Sequence, residues 1–398
     1  MSDKKNISEF MSVMLAAMVV ACSRFSDSFL YVALPLEYET LGLKLSDVGI
    51  LLSINRVIRF FSNAIASHAY RRYGIKLPLL IATCISASVA FSYGIVWGFL
   101  LFLIARMLWS IAWSFLRLPG YLFISKTSAA KRGRMMGFYH SISLIGSVGG
   151  TLIGGILLDF WGFRKAVLAL ACISAMGVPL ALMIKESKGS LYGTSKNNII
   201  SLLSDKVIFG IGLTSMMNHL IIGGVIASTL PLYLKELIGD GVRIFGMTIG
   251  IATLSGFLAS LRLLSWIIIS PLTGLMLDIV GRYITLVISS CALLLSLALL
   301  CLSLSMIVMI VLPFIFLFSA ALGTVLDTEI SDEIALRSED REYAISLYTN
   351  WIDAGLAIGP LLAYQLRTSM SFQSEYLWAT LVFLLTIIQH LSVMRRRS

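Results

Sequence analysis

Charge is what this sequence has least of. Asp, Glu, Lys and Arg make up 13% of its 398 residues, while 58% are hydrophobic and the mean hydropathy is +0.90. Soluble domains carry about 25% charged residues, so a water-exposed globule is excluded for want of polar residues to cover it. Cysteine is scarce too. Cys22, Cys84, Cys172, Cys291 and Cys301 all fall in apolar stretches without metal-ligand spacing and read as small buried hydrophobes. No Gly-rich run ends in Lys-Ser/Thr, which removes a nucleotide cradle, and no nucleophile elbow marks a hydrolase. The acidic run Asp327, Glu329, Asp332, Glu333 has no ligand arrangement, so no metal, cofactor or catalytic residue is assigned.

What is present instead is a series of apolar stretches near the roughly 20 residues that span a bilayer. They run over 11–35, 47–69, 76–96, 99–124, 136–158, 163–184, 207–234, 252–276, 283–303, 305–327, 344–365 and 376–394. The pattern predicts an all-α polytopic membrane protein with twelve transmembrane helices, the first of them retained and not a cleaved signal. Residues 237–251 are left as a loop or a partly buried segment. The net charge of +10 is distributed by side. Lys4, Lys5, Arg71, Arg72, Lys76, Lys131, Arg132, Arg134 and Arg395–Arg397 share one side of the twelve-span arrangement, and few basic residues fall on the other. This is positive-inside topology with both termini cytoplasmic, in a plasma membrane, with a bacterial inner membrane as the expected setting. The basic balance serves orientation and anionic headgroups, and nucleic acid is not an expected partner.

The one long polar connector falls at the midpoint, and its flanks match. Ala33-Leu34-Pro35-Leu36 is echoed by Thr229-Leu230-Pro231-Leu232, Gly49 and Gly74 by Gly256 and Gly281, and Gly146-x-x-x-Gly150 by Gly355-x-x-x-Gly359. This divides the chain into a six-helix bundle at 1–187, a cytoplasmic linker at 188–206 and a second six-helix bundle at 207–398. Two pseudo-symmetric bundles with a linker are a transporter layout, rocking about a midplane site.

Charges inside the apolar stretches mark candidate cavity residues, because lipid strongly penalises them. Asp27 and Arg24 share a helical face and are expected either to form a buried ion pair or, with Tyr31, to meet substrate and proton. Asn55, Arg56, Arg59 and Arg106 add anion-attracting groups in the first half, guanidinium being suited to bidentate capture of carboxylate or phosphate. Asn218, His219, Arg262, Asn350 and Asp353 are the counterparts in the second half, with His219 able to change charge near neutral pH or to serve only as packing. Gly146, Gly150 and Gly154 form a ridge for close helix approach.

The segment Gly274-Leu-Met-Leu-Asp278-Ile-Val-Gly281-Arg282 resembles the G-x-x-x-D-x-x-G-R loop signature of the major facilitator superfamily between helices 8 and 9. The first-half counterpart ends in Gly74 but carries Ser67 and Arg71 where the signature has its first glycine and its acid. Asp332 or Glu333 is the expected partner for Arg71. Asp27-Ser-Phe-Leu-Tyr31-Val-Ala33-Leu34-Pro35 looks like the helix 1 signature of the drug:proton antiporter branch. Arg106 sits at the helix 4 arginine, and Gly146–Gly155 resembles the helix 5 antiporter motif with Thr151 in place of proline. The resemblance implies a major facilitator fold and secondary active transport by alternating access, with a functional monomer and a proton gradient as the driving force. It favours proton-coupled export of small organic molecules. The arginines tilt the cargo toward acids or zwitterions, and the alternative is import or exchange of an organic anion or phosphate ester. Arg71, Asp278 and Arg282 would act in gating.

Overall fold

The computed structural model describes residues 2–125, 127, 129–185, 206–244, 247–302, 304–335 and 341–395. The expected linker at 188–206 falls almost wholly outside the described residues, as do Arg337, Glu339 and Asp340.

Backbone amides and carbonyls have no partner in hydrocarbon, so apolar stretches of this length are stable there only as helices or closed barrels. Every apolar stretch named above is helical over most of its described residues. The elements are α1 (Ser2–Glu37), α2 (Leu45–Tyr73), α3 (Lys76–Ser92), α4 (Phe99–Ser125), α5 (Ala129–Ala175) and α6 (Gly177–Met183). The second half continues with α7 (Lys206–Asn218), a π-helical segment (His219–Ile226) and α8 (Ala227–Ile238). Then follow α9 (Ile251–Val280), α10 (Arg282–Leu300), α11 (Ser305–Ala335), α12 (Arg341–Leu366) and α13 (Phe372–Arg395). The α5 helix is broken at Gly162, where two apolar stretches meet. Among the described residues nine helices are long and apolar enough to cross a membrane. Large apolar side chains point outward from them, with Met306 83% and Phe160 80% exposed, an arrangement that suits lipid and not water.

One feature departs from the sequence expectation. β1 (Gly241–Ile244) pairs antiparallel with β2 (Met247–Gly250), so among the described residues the fold is all-α except for this ribbon. Glycines at both ends and the β-branched Val242, Thr248 and Ile249 favour a strand pair over a helix. By backbone packing the chain falls into two compact units. One compact unit comprises Met1–Gly193 with Asp240–Ser260, the other Thr194–Gly239 with Leu261–Ser398. The hairpin and the first turns of α9 therefore belong with the first unit, because those turns pack tightly on α5. A Cβ at Gly155 would overlap the Ala252 carbonyl, and one at Gly256 would overlap the Thr151 carbonyl. Thr151 and Ser260 join hydroxyls at 2.8 Å in the same contact.

Within the first unit, α5 packs on α1 through the glycine ridge. A Cβ at Gly146 would run into the carbonyl of Ala21, and one at Gly150 into that of Phe25. Small residues permit this close approach, which is how membrane helices associate where apolar burial offers little drive. The second unit uses the same device: a Cβ at Gly355 would strike the Met216 carbonyl, and one at Gly359 the Leu220 carbonyl. In both units two glycines four apart sit on two carbonyls four apart.

The two contacts differ by one residue of spacing. Ala21 and Phe25 lie 14 and 10 residues before Pro35, whereas Met216 and Leu220 lie 15 and 11 residues before Pro231. A π-turn accommodates one inserted residue inside an α-helix, and the π segment His219–Ile226 occupies that interval. It absorbs the extra residue while the glycine contact and the proline both stay in register. The loop matches as well: Gly74 (φ 77°) ends α2 and Gly281 (φ 89°) ends α9, both in a conformation that glycine adopts without strain.

Candidate functional site

The apolar run of α1 places Asp27 in the buried part of the first unit, and its carboxylate finds its partners on two other helices. Fully buried Arg106 of α4 forms an ion pair with it through Nη1. Asn55 of α2 donates from Nδ2 to the same oxygen at 3.2 Å. Arg106 in turn donates from Nε to the Leu51 carbonyl at 2.9 Å, and the Ser110 hydroxyl donates to the Asn55 carbonyl. The Tyr31 ring lies under the guanidinium, 5.6 Å from its carbon. A carboxylate, a guanidinium and an amide are thus held on three helices by contacts that also fix α2 to α4. Two polar atoms in this cluster, Arg106 Nη2 and Asn55 Oδ1, are buried without a hydrogen-bond partner among the described residues.

The expected Asp27–Arg24 pair is corrected by this arrangement. Arg24 sits 5.2 Å over the Trp113 ring, which stacks on Trp109 at 5.4 Å. Residues three apart share a face, but the long Arg24 side chain gains a cation–π contact, while Arg106 reaches Asp27 from across the unit. Arg56 and Arg59 are half-buried on α2.

In the second unit the candidates do not form a single cluster. Asn218 donates to the Ser319 carbonyl at 3.2 Å and accepts from the Ser319 hydroxyl at 2.9 Å, joining α7 to α11. His219, the first residue of the π segment, has Nδ1 2.9 Å from the Ser215 carbonyl and stacks on Trp266 with ring centres 5.8 Å apart. Arg262 approaches Gly223 of the same segment, its guanidinium 3.8 Å from where a Cβ would stand. Asp353 is half-buried, whereas Asn350 is exposed.

The gating candidates are also redistributed. Asp332, expected to serve Arg71, is held by Arg282 of its own unit, and Asp278 remains exposed at the end of α9. Asp327 and Glu329, expected in gate or loop pairs, are drawn into the helix packing. Asp327 accepts from the Tyr348 hydroxyl at 2.6 Å, and Glu329 pairs with His390. The cysteines are all free and, against expectation, none is buried. Cys84, Cys172 and Cys291 are exposed on outward helix faces, where a thiol is apolar enough to sit in lipid. Among the described residues no group of three or more His, Cys, Asp or Glu side chains is placed to hold a metal ion.

Sequence reasoning missed two charged positions. His390 drew no notice inside an apolar helix, and its only signal was that an imidazole needs a partner there. Asp159 lies just before the Gly162 break in α5. Its carboxylate accepts from the Ala252 amide at 3.2 Å, the Thr253 amide at 2.7 Å and the Thr253 hydroxyl. It thereby caps the N-terminus of α9, satisfying amides that the helix itself leaves unpaired.

Comparison with known proteins gives a consistent result. The profile of the Major Facilitator Superfamily matches residues 16–331. The chain is 27% identical over 385 residues to the multidrug resistance protein MdtG of Escherichia fergusonii, covering 92% of this chain and 90% of that protein. Among solved structures it is similar to a mutant of the nucleoside transporter NupG, at a TM-score of 0.76 and 14% identity, over 96% of this chain and 99% of that one. It is equally similar to a mutant of the peptide transporter POT, at a TM-score of 0.76 and 15% identity, over 96% and 94%. At that identity the structural likeness speaks for the fold alone.

Proposed function

The chain belongs to the Major Facilitator Superfamily, and on that premise we propose that it couples proton entry to export of small organic molecules by alternating access. Secondary-active transport of small molecules through a multi-pass membrane fold is what the family and the fold supply. The direction, the proton and the cargo charge are the proposed part. So is a topology of twelve spans in two pseudo-symmetric six-helix bundles joined by 188–206, in a bacterial inner membrane with both termini cytoplasmic. The break at Gly162 divides one long helical stretch into two spans, and α3 and α12 supply the remaining two beyond the nine that length and hydropathy mark.

The observation that carries the reading is the Asp27–Arg106–Asn55 cluster. A lone carboxylate at this depth is costly, and it persists where partners compensate it. A carboxylate shared between a guanidinium and an amide can lose or regain those partners when a proton or an anionic cargo arrives. Arg106 Nη2 and Asn55 Oδ1 leave a donor and an acceptor beside it. The arginines Arg24, Arg56, Arg59 and Arg106 outnumber Asp27 on α1, α2 and α4, which tilts the cargo toward acids or zwitterions. The same excess favours the second reading, anion import or exchange. The relative from Escherichia fergusonii is a multidrug resistance protein, which agrees with export.

Loading inside-out and right-side-out vesicles with a labelled panel of organic acids, zwitterions and cations, with and without an imposed ΔpH, separates these readings. Export predicts ΔpH-driven accumulation in inside-out vesicles. Strict anion-for-anion exchange indifferent to ΔpH would establish the second reading in its place.

A further inference from the structure

A second ionisable pair lies far from Asp27 in the chain and has no part in the reading above. Glu329 of α11 and His390 of α13 are each 2% exposed and meet at 3.0 Å between Oε2 and Nε2. Both lie within the last two turns of their helices. Glu329 Oε1 and His390 Nδ1 are buried without a hydrogen-bond partner among the described residues.

The chemistry of the pair follows from which atoms are engaged. An ionised carboxylate only accepts, so His390 must donate from Nε2, and a neutral imidazole then carries its free lone pair on Nδ1. In that state the pair bears a net charge of −1 inside an apolar chain, which burial penalises. One proton from solvent, arriving at Nδ1, converts it to imidazolium and carboxylate with no net charge. Loss of that proton to water restores the anion. Among the described residues few other charges are placed to take over the neutralising role. Among the described side chains, the helices packed around the pair bring Arg282 on α10, already committed to Asp332, and Tyr348 on α12, donating to Asp327. The π segment brings His219, engaged with Ser215 and Trp266, and Glu333 lies one turn beyond Glu329.

We propose that Glu329 and His390 form a proton-binding site, loaded with one proton when sealed as here and discharged when the pair is wetted. This assignment rests on the proton-coupled reading, yet it names a second site distinct from Asp27.

The first test needs no cargo. The chain has four histidines, so nitrogen-labelled full-length protein in lipid nanodiscs gives few ring signals, and His390→Asn identifies the one that belongs here. The site predicts that the His390 ring signal and the Glu329 carboxylate infrared band change together with pH, as one coupled titration, and that Glu329→Gln abolishes the joint change. A His390 signal invariant from about pH 5 to 9, or one unaltered by Glu329→Gln in a folded protein, overturns the site. The second test is ΔpH-driven accumulation of the labelled panel in proteoliposomes. Loss of one carried proton in Glu329→Gln lowers the limiting accumulation by about tenfold per pH unit imposed, with downhill flux retained. Unchanged accumulation in Glu329→Gln overturns the site while leaving proton-coupled export standing. Absence of ΔpH-driven accumulation in the wild type removes the export reading itself, and the pair's role in coupling falls with it.

Discussion

The two units repeat a backbone contact and do not repeat their polar chemistry. In the first, α1 is continuous through Asp27, and one cluster ties α1, α2 and α4 together. In the second, the matching stretch is π-helical and apolar from Leu220 to Ile226, and the polar groups are dispersed as Asn218–Ser319, Tyr348–Asp327 and His390–Glu329. Glycine-on-carbonyl packing is what the repeat preserves, because a close helix contact fixes both register and distance. Side-chain chemistry is free to diverge around it. The first unit thus concentrates its buried charges in one cluster, and the second carries a helix whose hydrogen-bond ladder widens to π spacing at His219–Ile226.

The largest effect that bears on this contrast is expected from Arg106→Ala. It strands the Asp27 carboxylate in the interior, and removing one partner of a buried pair costs about 3–5 kcal/mol. Yield and thermal stability in detergent should fall sharply, and Asp27→Asn in the same chain should restore much of the loss. If Arg106→Ala is as stable as wild type, the pair does not organise the unit.

Next come the glycine contacts. Gly150→Leu and Gly359→Leu each drive a side chain into a carbonyl of the neighbouring helix, with overpacking of about 1–3 kcal/mol. Both should insert in the membrane and both should lose transport. Normal flux in either folded variant would deny that contact a tight role, and an effect in only one half would break the equivalence of the two units.

A smaller effect should follow deletion of Gly223. It removes the extra residue between the Leu220 carbonyl and Pro231, so the segment should revert to α-helix with both flanking contacts kept. The expected outcome is a folded protein with reduced turnover, read by hydrogen exchange across His219–Ile226. A protein that fails to fold would show that the π segment is not a simple one-residue insertion. The smallest expected effect is that of Asp159→Ala, which removes a cap worth about 1 kcal/mol. Thermal stability should drop modestly, and Asp159→Asn should recover part of it.

The sequence was most legible where physics allows few solutions. Length and hydropathy located the helices, and the glycine spacings Gly146–Gly150 and Gly355–Gly359 marked the contacts that were found. Gly74 and Gly281 marked matching helix ends. Partner choice was not legible. Asp27 and Arg24 share a helical face, but Arg106 is 79 residues away in sequence and its guanidinium reaches the carboxylate only after α1 and α4 pack. His390 and Glu329 are 61 residues apart, and no local pattern joins them. The hairpin was hidden because a short β-branched run between glycines differs little from a loop. Asp159 was overlooked because two of its three donors are backbone amides, which carry no residue-type signal, and the third, the Thr253 hydroxyl, is 94 residues away.

Whether Asp27 carries a coupling proton is tested most directly by counting protons. Purified wild type and Asp27→Asn, in weakly buffered detergent solution with a pH indicator, are mixed with those members of the labelled panel that prove to be transported. A coupling role for Asp27 predicts proton release on binding to the wild type, a count lower by one in Asp27→Asn with binding retained, and loss of ΔpH-driven accumulation in the variant. An unchanged proton count together with intact accumulation against a gradient would contradict it.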